Sequence, residues 1–105
     1  MITTLQQAKS RLLQEGLCVD DASTGLLIGS GRKPIEGDIH FVVDPVALCQ
    51  RDGGWLAVFP SEGQQTVEMA APLDELVRLV IQAYRTRRNT GEGLSTMAQG
   101  WVSAV

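Results

Sequence analysis

The sequence is poor in the side chains that most often assemble chemistry. It has one histidine, His40, and two cysteines, Cys18 and Cys49, with no Cys-x-x-Cys spacing. That set is too small and too scattered for a structural zinc site. No apolar run approaches the ~18 residues that a membrane-spanning helix needs. Met1 to Gln7 lacks the basic-then-apolar signature of a secretory signal, so the expected location is the cytoplasm. In that reducing compartment the cysteines, each flanked by apolar residues, are expected as small core side chains and not as a disulfide.

The motifs of common enzymes are missing too. Gly29-Ser30-Gly31-Arg32-Lys33-Pro34 is rich in glycine and base, yet it lacks the Gly-Lys-Ser/Thr ending of a phosphate loop. The residues after Pro34 do not open a helix whose amides would converge on a phosphate. The stretch reads as a solvated loop. Ser10, Ser23, Ser30, Ser61, Ser95 and Ser103 all lie outside a nucleophile-elbow pattern. No carboxylate pair is flanked so as to raise one pKa. His40 would need a nucleophile or a carboxylate held beside it, and Asp44 on the same strand face is about two pleats away. His40 is therefore read as a half-exposed strand residue. The expectation is a protein that is not an enzyme and that holds no metal and no cofactor.

Positive charge is nearly absent from the middle of the chain. Between Glu36 and Glu75 the acids are Glu36, Asp38, Asp44, Asp52, Glu62, Glu68, Asp74 and Glu75, and the only base is Arg51. Eight acids against one base leave that segment at −7, although the whole chain carries only −3. The bases gather at Lys9 and Arg11, at Arg32 and Lys33, and at Arg78, Arg85, Arg87 and Arg88. An acidic segment of this kind repels nucleic acid and suits a basic protein partner. It would serve equally as a solvated face that prevents aggregation.

What is present is enough for one small domain. The chain has 105 residues, 44% of them hydrophobic and 20% charged. That balance belongs to a folded chain of modest stability, on the order of 5–10 kcal/mol. Leu5, Ala8, Leu12 and Leu13 fall at helical spacing over residues 3–15. Thr3 and Thr4 each precede a glutamine by three residues, and Gly16 sits where a helix ends. Leu17–Val19 and Gly25–Ile28 read as the arms of a first hairpin, separated by Asp20 to Thr24. Ile39–Val43 is a strand by composition.

Ala47–Arg51 and Gly54–Phe59 flank Asp52-Gly53, a strong type I′ hairpin signal that sets Ala47 against Val58, Cys49 against Leu56 and Arg51 against Gly54. The strand Gly54–Phe59 is apolar on both sides and is expected to be central and covered, at least partly, on both faces. Trp55 is expected in the core. Gln65–Ala70 alternates like a half-buried strand. Pro72–Arg88 carries Leu73, Leu76, Val77, Val80, Ile81 and Tyr84 on one side, acids at its start and arginines at its end. The fold class read from this is α+β: a mainly antiparallel sheet of about five to six strands, an N-terminal helix, and a long C-terminal helix packed on the sheet. Residues 1–88 form the domain. Residues 89–105 form a tail that is either flexible or docked on the sheet or on a second subunit.

Asp52-Gly53-Gly54-Trp55-Leu56-Ala57-Val58-Phe59-Pro60, followed by Ser61-Glu62-Gly63 and the helix from Pro72, resembles small bacterial immunity proteins of polymorphic or contact-dependent toxin systems. The likeness spans about a third of the chain and carries over no functional residue. It implies a cytoplasmic protein that occludes a toxin, often a basic nuclease. The function expected is accordingly an immunity-type inhibitor that binds a basic protein through Glu36, Asp38, Asp44, Asp52, Glu62 and Glu68. The alternatives are a small-molecule-binding module with a pocket between sheet and helix, lined by residues such as Trp55 or Tyr84, and an accessory protein that homodimerises.

Overall fold

A computed structural model describes residues 1–37, 39–42, 45–60 and 66–90. Two helices and seven strands follow in the order α1 (Leu5–Gln14), β1 (Cys18–Ala22), β2 (Gly25–Gly29), β3 (Arg32–Glu36), β4 (Ile39–Val42), β5 (Val46–Arg51), β6 (Gly54–Phe59), β7 (Val67–Ala70) and α2 (Leu73–Thr90). Five strands make one antiparallel sheet, β1-β2-β5-β6-β7, and β3-β4 form a separate ribbon. Both helices pack on one face of the large sheet, and the α+β class expected from the sequence holds.

Local chemistry fixes the helix ends. Thr4 accepts the Gln7 N–H through its hydroxyl at 3.2 Å, and Gln7 Oε1 accepts the Thr4 N–H at 3.3 Å, so Thr4 and not Thr3 closes the capping box. At the other end Leu17 N–H donates to Leu12 O and Gly16 N–H to Leu13 O. This is the Schellman pattern, with Gly16 at φ +84° in the left-handed position. The Pro72 carbonyl receives the first bond of α2, from Leu76 N–H at 3.0 Å. The helix runs to Thr90, two residues beyond the expected end of the domain. Residues 91–105 lie outside those described.

The core lies between the helices and the inner sheet face. Ala8 and Leu12 of α1, with Leu76, Val77 and Val80 of α2, meet Ile28, Val46, Leu48, Ala57 and Phe59 of the strands, all essentially inaccessible to water. Trp55 packs against this cluster with part of its surface exposed. No charged or polar residue is buried among the described residues. β6 lies between β5 and β7, and its cover is complete on one face and partial on the other. Ala57 and Phe59 are buried, but Leu56 and Val58 on the opposite face stay partly exposed because both helices lie on the other side.

Two sequence expectations about loops give way. Asp20, Asp21 and Ala22 belong to β1, and the first turn is only Ser23-Thr24. The strand tolerates its acids because Lys9 Nζ sits 3.1 Å from Asp21 and Arg32 Nη1 sits 2.6 Å from Asp20. The glycine-rich loop ends early as well, since Arg32–Glu36 is β3, paired with β4. Ile28 pairs with Val46; four residues forward on one strand and four back on the other reach the pair Arg32 and Val42. The ribbon is thus the in-register continuation of the β2–β5 pair beyond an interruption at Gly29–Gly31. It bends toward β1, where Arg32 Nη2 donates to Val19 O at 3.2 Å and so satisfies a carbonyl of an edge strand.

Side-chain hydrogen bonds also fasten α2 to the sheet and to α1. The Tyr84 hydroxyl of α2 donates to Ile28 O at 2.8 Å, where the β2–β5 ladder breaks. Glu15, just after α1, accepts hydrogen bonds from Arg11 and from Arg85 of α2. The reading of Arg85 as a partner of the helix dipole is thus incomplete; it bridges the helices, while Arg87 and Arg88 occupy the last turn. Hydrogen bonds from Arg11, then Arg85, hold the Glu15 carboxyl below its ordinary pKa of 4.5.

A depressed carboxylate pKa stabilises the fold above the unfolded value, and that stabilisation disappears as pH falls through the folded value. Wild type should therefore exceed Glu15→Gln in thermal stability at neutral pH, with the gap closing once pH drops below about 4.5; melting curves from pH 2 to 7 check this. Tyr84→Phe should leave the Ile28 carbonyl unsatisfied and cost ~1–3 kcal/mol, read as a lower midpoint in urea at unchanged slope.

Candidate functional site

Strand alternation sends one set of side chains to the core and the other to the outer sheet face. The register places that outer set in cross-strand rows. One row runs Asp20, Leu27, Ala47, Val58, Glu68 across β1, β2, β5, β6 and β7. The next runs Ala22, Gly25, Cys49, Leu56, Ala70. Each row crosses four interstrand steps, or about 19 Å. The first has an acid at each end and three apolar residues between.

Leu27, Ala47, Cys49, Leu56 and Val58 are each partly exposed. No helix covers this face among the described residues. The β3-β4 ribbon approaches the sheet at β1 and β2, and Arg32 meets Asp20 there. Close approach of the central strands helps keep the surface flat: a Cβ built on Gly25 would lie 1.8 Å from Leu48 O. The surface is therefore an apolar strip with an acid at each end of its first row, Asp20 beside Arg32 and Glu68 beside Arg51. A surface of this form can bury area against another protein.

The structure sorts the candidate residues named from the sequence. Glu68 lies on the open face and is exposed, 3.9 Å from Arg51. Asp52 is exposed at the β5-β6 tip with φ +52°, and Gly53 follows at +79°, the pair of positive angles that the turn demands. The predicted register of that hairpin holds at all three pairs. Glu36 and His40 are placed by backbone only, on β3 and on β4 opposite Pro34. Asp38, Asp44 and Glu62 lie outside the described residues. Of the six acids, the structure brings Asp52 and Glu68 to the margin of one surface, and Asp20, not singled out from the sequence, completes it.

The cysteines are not core residues as expected. Both are free, partly exposed and on the outer face. Cys18 is on β1 and Cys49 on β5, with β2 between them, so their strands alone stand about 10 Å apart. That exceeds the span of a disulfide. Among the described residues no group of three His, Cys, Asp or Glu side chains could hold a metal ion. No helix among the described residues is long and apolar enough to cross a membrane. Tyr84 contributes to a cavity of about 280 Å³ with Ser30, Arg87 and Arg88 at the end of α2.

Both thiols should alkylate in the native protein more slowly than in urea, and mild oxidation should leave them unpaired within the chain. Mass spectrometry of the alkylated digest reads both outcomes. The chain was compared with protein-family models, curated proteins and solved structures, and none of them matches it.

Proposed function

We propose that this protein is a non-enzymatic protein-binding module of the immunity-inhibitor kind, which docks a basic partner protein on the open face of its five-stranded sheet. The observation that supports this most directly is the cross-strand row Asp20, Leu27, Ala47, Val58, Glu68, an apolar strip closed by a carboxylate at either end. Apolar residues give the area from which water is expelled, and flanking charge selects the partner and speeds its approach. Asp52 at the hairpin tip extends the acidic margin, and the −7 segment from Glu36 to Glu75 gives the same sign on a larger scale.

Capture of partners from the native host, followed by binding measurements on the purified pair, tests the reading. The partner should be basic, and raised salt should weaken the complex. Asp52→Lys with Glu68→Lys should cost tenfold or more in affinity, about 1.4 kcal/mol, while the melting temperature stays close to wild type. Leu56→Asp should weaken the same complex, and bound partner should shield Cys49 from alkylation. A partner held equally well by the double lysine variant would refute the acidic-margin docking, and so would recovery of nothing but further copies of this chain.

A further inference from the structure

We propose that the seam between α1 and α2 is a binding site for a small carboxylic acid with a short apolar body. The seam lies in the helix layer, and the inference stands independently of the docking surface on the sheet. It holds a cavity of about 360 Å³, within the range of small-ligand sites. Its apolar lining is Ile2, Val77 and Ile81; the last two are 1% and 6% exposed, so they present edges of the core and not loose surface. Three guanidinium groups, Arg11 from α1 and Arg78 and Arg85 from α2, line it together with Asp74 and Gln82.

The charges around this cavity do not cancel. Arg11 and Arg85 share the Glu15 carboxylate, which pins both and leaves each guanidinium with further N–H groups. Asp74, one helical turn before Arg78, accepts the Ile2 N–H on Oδ1 at 3.0 Å. Arg78 is exposed and has no ion-pair partner among the described residues. Three arginines against Glu15 and Asp74 leave the seam at +1. One monoanion balances that charge, whereas a phosphate dianion overshoots it. A carboxylate also matches the planar fork of Arg78 with two parallel hydrogen bonds. The apolar lining then takes the body of the acid.

Titration of the isotopically labelled full chain with hexanoate, followed by amide NMR shifts, tests the site. Saturable shifts should map to α1 and α2 around Arg11, Arg78 and Arg85. Hexanamide, the neutral analogue, should bind at least tenfold more weakly. Arg78→Gln, on an exposed side chain, should weaken hexanoate about tenfold with the remaining spectrum preserved. Absence of saturable shifts overturns the proposal, as does hexanamide binding as well as hexanoate, or Arg78→Gln without effect. Inorganic phosphate bound at the same residues with equal affinity also overturns it, since the seam would then attract an adventitious ion only.

Discussion

The pairing of β2 with β5 is the constraint on which this molecule depends. It joins residues 25–28 to 46–49 across the middle of the chain and sets the first hairpin beside the second. Without it the sheet separates into a β1-β2 hairpin and a β5-β6-β7 meander, neither wide enough to support both helices. The approach of these strands is close enough to exclude a side chain at Gly25. Tyr84 grips the same ladder at Ile28, so the longer helix is anchored at the seam between the two halves of the sheet. Core, helix placement and the open outer face all follow from that junction.

The division between faces is a matter of parity. Once Leu26 stands against Leu48 and Ile28 against Val46, every second residue of five strands is committed to the helices, and the remainder to the outside. The inner set is mostly large and apolar, and Ile28, Val46, Leu48, Ala57 and Phe59 at its centre are fully sealed. The outer set is smaller: alanine, cysteine, glycine, valine and two leucines between charged margins. Charge divides along a similar line. Arginines concentrate in the helix layer, and Asp20, Asp52 and Glu68 border the sheet. The two surfaces therefore suit different chemistry: a broad acidic-edged plate on one side and a narrow cationic seam on the other.

What could be read in advance was whatever short-range chemistry decides. Thr4 with Gln7, Gly16, Asp52-Gly53 and the stripe from Leu73 to Tyr84 each act through neighbours within a few residues, and each appears in the fold as the sequence implied. Elements whose cause is distant were misread. Arg32-Lys33-Pro34 has the composition of a loop, yet it is drawn into a ribbon that Arg32 ties to Val19 and Asp20, more than ten positions earlier. Asp20 and Asp21 look like turn residues until Arg32 and Lys9 are seen to pair with them. The cysteines illustrate the same point: an apolar flank says that a residue sits in a strand, but its face is set by the partner strand. The acidic rows were partly foreseen through Asp52 and Glu68. Asp20 escaped because a row is a property of pairing, and Glu15 escaped because its second arginine comes from the far end of the chain.

The register that Arg32–Pro34 and His40–Val42 share with β2–β5 bears on how the chain can reach this state. Closing the central ladder directly would mean joining two segments across a long unstructured loop, with the entropy loss that such a closure carries. Here the intervening ribbon can close first, from the Gly37 bend outward, using contacts only a few residues apart. Each pair formed would shorten the next closure and bring Ile28 and Val46 together in alignment, so that local steps would lead to the least local junction of the sheet.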